Sequence, residues 1–135
     1  MMALRILVGA LLVSTAVHYT DNWLSIEDYA PRSGFLPENP WAVPVAWLIF
    51  AAIGLAGYRE YARRGTTTRA HALLATFSLA GLTTPLHLLY EGNSFAAWQW
   101  VSVASDGLTG AAVLAFALWS VAGVRPPAAS GASRA

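Results

Sequence analysis

The sequence contains no cysteine and no lysine. Without cysteine there can be no disulfide, no thiolate metal site and no thiol nucleophile. All eight basic residues are arginine, and against seven acids they leave a formal net charge of +1, too small to select a partner by long-range attraction. Charge of either sign is scarce, at 11% of residues against roughly 25% in typical soluble domains. That scarcity excludes a disordered chain and a nucleic-acid-binding module, and it argues against an ordinary soluble globule. There is no glycine-rich phosphate loop, no HExxH motif and no serine in a nucleophile elbow.

What the chain has is apolar length. Hydrophobic residues make up 56% of its 135 positions. They gather in four stretches, at about 4–20, 41–58, 70–90 and 97–122. A spanning helix needs about 20 mainly apolar residues, with ~17–25 tolerated. None of the four alternates as a barrel strand does, and in lipid the backbone must satisfy its own hydrogen bonds, so helices follow. The expected fold is all-α: a four-transmembrane-helix up-down bundle over residues 1–125. A disordered tail rich in Pro, Ala and Ser would follow at 126–135. Pro44 sits in the first turn of the second span, where its missing N–H costs little. Gly123, Pro126 and Pro127 stop the fourth. Pro85 lies inside the third, where it should kink the helix or loosen one turn and free a carbonyl near Gly81.

Arginine placement gives an orientation. Arg59, Arg63, Arg64 and Arg69 lie between spans two and three against one acid, Glu60; Arg5 precedes the first span, and Arg125 and Arg134 follow the last. The loop between spans one and two instead holds Asp21, Glu27, Asp28 and Glu38 with only Arg32 opposing. The positive-inside rule then places both termini in the cytoplasm, in a multi-pass protein of the plasma membrane. Tyr19, Trp23, Trp41, Tyr90, Trp98 and Trp100 would mark the outer interface, and Tyr58, Tyr61 and Trp119 the inner one. A rival reading of the N-terminus is a signal peptide cleaved after Ala16. The weak basic region around Arg5 opposes it, as does a helical pattern running on through His18 to Asn22.

Antiparallel connectivity gathers the reactive side chains at one side. His18, Asp21 and Asn22 close the first span on one face, His87 and Glu91 close the third, and Asp106 lies inside the fourth. Thr83, His87 and Glu91 step by four, with Thr76 and Ala80 extending the row. Ser102, Ser105, Asp106 and Thr109 form a second stripe. Both stripes are expected to turn away from lipid. Spans one and three should be diagonal, so His18 and His87 could face each other across the core. The second span supplies no acid or histidine; its Gly54 and Gly57 permit close helix contact, as Gly107, Gly110 and Ala111 do on the fourth. Asp106 lies ~12 Å deeper than Trp98 at ~1.5 Å per residue. An acid at that depth costs roughly 2.5–3.5 kcal/mol on insertion scales, so a partner, water or protonation must offset it. About twenty residues, from Asp21 to Pro40, form a long loop over this cluster, as a plug or a lid.

The runs His18-Tyr-Thr-Asp-Asn22 and Thr84-Pro-Leu-His87, with Asp106, resemble small four-helix membrane proteins of actinobacteria, a group that implies no activity. The run from Phe77 to Pro85 is also similar to the third helix of the EXPERA group of sterol isomerases and the sigma-2 receptor. That resemblance implies a ligand pocket. The chain departs from that group in having no carboxylate on its second span, so the likeness does not extend to isomerase chemistry.

Four functions fit these residues. The first is an outward-facing site for a small amphipathic or lipid-like ligand, formed by His18, Asp21, Asn22, His87, Glu91, Asp106 and Trp41, with Trp47 and Trp98 along the walls. The second is an accessory subunit of a larger membrane complex. In the third, His18, Asp21, His87, Glu91 and Asp106 hold a divalent metal as N and O ligands. Haem between His18 and His87 suits the set less, because Asp21 and Glu91 stand beside the histidines. The fourth is an enzyme using His87 and Asp106 as base and acid. The expected partners are membrane lipids, a second copy or a membrane complex, and no nucleic acid.

Overall fold

The computed structural model describes residues 1–25, 39–89 and 95–123, and for His87, Leu88 and Leu89 the backbone alone. Among these residues the chain is all-helical, with helices α1 (Met2–Leu24), α2 (Ala42–Arg64), α3 (Thr68–Leu82) and α4 (Ala97–Ala122), and a 3-10 helix (Thr84–Leu89) extending α3. α1, α2 and α4 are each long and apolar enough to cross a membrane. The most acidic part of the long loop, Glu91 and the C-terminal tail lie outside the described residues.

α1 and α2 run longer than their apolar stretches for local reasons. α1 continues without a break through Ala16 and over His18, Asp21 and Asn22, because these polar side chains are buried against α4 instead of facing solvent. α2 continues through Tyr61, with Arg63 and Arg64 in its last turn, where cations complement the helix dipole. It stops at Gly65, whose φ of 72° a side chain would resist. This extension corrects one expectation. Glu60 belongs to the second helix, so that helix does carry a carboxylate. It lies 3.4 Å from Arg64, far from Asp106 in the fold.

α3 is where the proline acts. The α-helical ladder ends at Leu82, and from Thr84 the chain tightens into 3-10 turns through Pro85, with Leu86 N–H donating to the Thr83 carbonyl at 3.0 Å. Hydroxyls meet the carbonyl of Ala80 beside this break: Tyr19 at 3.4 Å and Thr84 at 3.3 Å.

Packing order follows from side-chain pairs. Thr15 meets Trp47 of α2, and Ser14 and His18 meet Ser105 and Ser102 of α4. Gly54 of α2 faces Phe77, and Gly110 of α4 faces Ser78. Neighbours are antiparallel, α1 and α3 are diagonal, and the up-down arrangement holds. A β-carbon on Gly110 would stand 2.8 Å from the Ser78 carbonyl, and one on Gly81 would collide with the Asp106 carbonyl. The α3 and α4 backbones therefore touch through two glycines. The apolar core of Leu4, Val8, Leu11, Leu74, Phe77, Val113 and Ala117 fills the half of the bundle nearer the arginines. Large apolar side chains such as Val13, Leu48, Leu108 and Leu118 point outward, more than half exposed.

Replacing Gly110 by Leu is expected to cost about 1–3 kcal/mol or more through overpacking. Gly9→Leu, which meets nothing within 4 Å, should leave stability nearly unchanged. Thermal unfolding in mild detergent reads both.

Candidate functional site

Asp106 is the centre of the buried polar set. Its residue is fully buried in α4, at 0% exposure. Ser14 of α1 contacts Oδ1 at hydrogen-bond range, and the Thr84 hydroxyl lies 3.2 Å from Oδ2. Ser14 also lies 2.8 Å from Ser105 Oγ, and Ser105 donates to the Ser102 carbonyl at 2.8 Å. The expectation that something must offset a mid-helix acid is met by hydroxyls from α1 and from the proline turn. No described residue gives Asp106 a cationic partner.

A second group lies one to two turns nearer the chain's acidic end. His18, 1% exposed, meets Ser102 Oγ at 3.4 Å through Nδ1 and Asn22 Nδ2 at 3.2 Å through Nε2. Asp21 accepts from Gln99 Nε2 at 2.9 Å, while Gln99 Oε1 accepts from the Ala96 N–H at 2.8 Å and so closes the first turn of α4. Asp21, Asn22 and His18 thus share one face, as their spacing predicts. Trp41 is 61% exposed and lies against Trp23, with ring centroids 4.9 Å apart.

Other expected members fall elsewhere. The side chain of His87 and all of Glu91 lie outside the described residues, so the His18–His87 and His87–Asp106 pairings do too. Among the described residues no three His, Asp or Glu side chains converge as a metal site, and Asp106 stands apart with both oxygens on hydroxyls. The third-helix stripe needs correction. Thr76 and Thr83 are exposed and return their hydroxyls to their own helix, to the Ala72 carbonyl at 2.9 Å and the Leu79 carbonyl at 2.8 Å. A threonine bonded in this way can face lipid. The interior face is the one holding Ser78, Gly81 and Thr84, because the glycine contact with α4 sets the rotation of α3. His71, at the arginine end, lies 2.8 Å from Ser120 Oγ.

Ser14, Thr84 and Gln99 were not read from the sequence as members of the site. Ser14 stands four residues before His18 on the same helical face, a signal that was present. Thr84 stands four after Ala80. For Gln99 the residues offered no such signal.

Among the described residues, four clefts border α1. Between α1 and α4, one of about 340 Å³ is lined by Val13, Ser14, Val101, Ser102 and Ser105. It meets another of about 420 Å³ beside Thr20, Asp21 and Leu24, and Val17 and Trp98 are common to both. Between α1 and α2, one of about 220 Å³ is lined by Tyr19, Trp23, Pro44 and Trp47, and one of about 140 Å³ by Arg5, Gly9, Leu12 and Tyr58. Comparison with known proteins finds no matching family model, no curated relative and no matching solved structure.

Thr84→Val should destabilise the fold by roughly 1–3 kcal/mol, because it strips a donor from a buried carboxyl group. Thr83→Val, next to it but exposed, should stay within about 0.5 kcal/mol. Chemical or thermal unfolding in detergent distinguishes them.

Proposed function

We propose that this chain is a four-pass protein of the plasma membrane that binds a small amphipathic, lipid-like ligand in the cleft between α1 and α4. One observation carries the reading. Among the apolar residues Val13, Val17, Val101 and Trp98, this cleft has Ser14, Ser102 and Ser105 on its floor. A mainly apolar groove with a few serines at its base suits a molecule with an apolar body and a small polar group. Asp106, directly behind Ser14, backs that floor. Asp21 and Thr20 border the adjoining cleft.

Membrane placement follows from length and charge. α3 and its 3-10 extension together cover ~34 Å, at ~1.5 and ~2.0 Å per residue, enough for a hydrocarbon core of ~30 Å. The third span is therefore α3 with its tightened end. Arg5, Arg59, Arg63, Arg64 and Arg69 collect at one end of the antiparallel bundle, which the positive-inside rule assigns to the cytoplasm with both termini. The site then opens toward the outer leaflet.

The test uses a photoreactive single-chain amphiphile in lipid vesicles. Labelled peptides should come from α1 and α4 around Val17 and Val101. Val17→Trp, which fills the junction of the two clefts, should lower labelling at least tenfold, equivalent to about 1.4 kcal/mol. Val45→Trp, equally exposed on α2, should not. Equal labelling in both variants would sink the proposal.

A further inference from the structure

The hydrogens around Asp106 fall one short if its carboxyl is ionised. Three contacts form a row: Asp106 Oδ1 with Ser14 Oγ, Ser14 Oγ with Ser105 Oγ at 2.8 Å, and Ser105 Oγ with the Ser102 carbonyl at 2.8 Å. Each serine brings one hydroxyl hydrogen. With a carboxylate, two hydrogens must serve three contacts, and one pair of oxygens meets with nothing between them. A hydrogen on Oδ1 completes the row. Asp106 then donates to Ser14, Ser14 to Ser105, and Ser105 to the Ser102 carbonyl. Oδ2 remains an acceptor and takes the Thr84 hydroxyl at 3.2 Å. Thr84 can give its hydrogen there because the Tyr19 hydroxyl reaches the Ala80 carbonyl at 3.4 Å.

The surroundings favour the same state. The residue is fully buried, and the described ion pair, Arg64 with Glu60, is at the other end of the bundle. On the elements packed around Asp106, the titratable neighbours are His18 and Tyr19 of α1. His18 is engaged by Ser102 and Asn22 one turn away, and Tyr19 is on the Ala80 carbonyl. His71 of α3 is at the far end, on Ser120. The 3-10 helix carries His87, whose side chain lies outside the described residues.

We propose that Asp106 is a proton-binding site inside the bundle, held as the neutral acid and acting as the donor at the head of the row Ser14, Ser105, Ser102. This assignment does not rest on ligand binding. It also has a chemical consequence for the cleft. With both serine hydrogens directed along the row, Ser14 and Ser105 offer lone pairs, so the floor accepts hydrogen bonds.

Infrared spectroscopy of the full chain in lipid bilayers, with the aspartate carboxyl carbons isotopically labelled, tests the assignment. The sequence has only three aspartates, Asp21, Asp28 and Asp106, so overlap is small. At neutral pH one carboxylic-acid carbonyl band is expected. It should vanish in Asp106→Asn and move to higher frequency in Ser14→Ala, which removes the acceptor of its hydrogen. Heavy water should shift it as deuterium replaces hydrogen. Labelled wild-type protein showing carboxylate bands alone would overturn the proposal without any variant having to fold. So would an acid band that survives in Asp106→Asn.

Discussion

The carboxyl group of Asp106 sets the terms for the half of the bundle around it. It has to be enclosed by hydrogen-bonding groups in a chain made mostly of side chains that have none. Two elements supply them, α1 through Ser14 and the proline turn through Thr84, and both must arrive at the same depth of α4. Further out the polar pairs continue as His18 with Ser102 and Asp21 with Gln99. Further in, the packing changes to Leu11, Phe77 and Val113. The bundle is thus divided along its axis: polar pairs predominate in one half and apolar packing in the other. Dispersion and close fit are the dominant sources of cohesion between helices in lipid, and polar pairs add modest, specific terms.

The glycine contacts explain how a hydroxyl from the proline turn reaches the acid at all. Gly81 and Gly110 let the backbones of α3 and α4 meet, and Gly81 lies against the Asp106 carbonyl itself. A larger residue at either place would move Thr84 away. Pro85 contributes by ending the α-helical ladder after Leu82, where the tighter turn begins. Small residues and a helix breaker are usually read as packing details. Here they fix the distance between a carboxyl group and its donor.

The sequence made the helical architecture legible because long apolar runs are read directly from it. The fourth helix was expected at 97–122 and occupies Ala97–Ala122. The face shared by His18, Asp21 and Asn22 was equally readable, since it needs only helical spacing. The rotation of α3 was not. Counting in fours from Thr83 selected a face by its hydroxyls, whereas the helix turned on its close contact with α4, with Ser78 and Gly81 inward and Thr83 outward. A threonine that bonds its own backbone is indistinguishable in sequence from one that bonds a neighbour. Gln99 is another case: its role joins an α4 cap to an α1 acid, a relation across 78 residues that no local pattern encodes.

The clefts described above share one wall, α1, and this has a mechanical meaning. α3 is locked to α4 by glycine contacts and to α2 through Gly54 and Gly57. α1 has no such seam, and its own Gly9 faces open space. α3 is thus seated on both neighbours through glycines, whereas α1 is seated through its own side chains. Its contact with α4 runs through the polar pairs from Ser14 to Asp21 at one end and through Leu4, Val8 and Leu11 at the other.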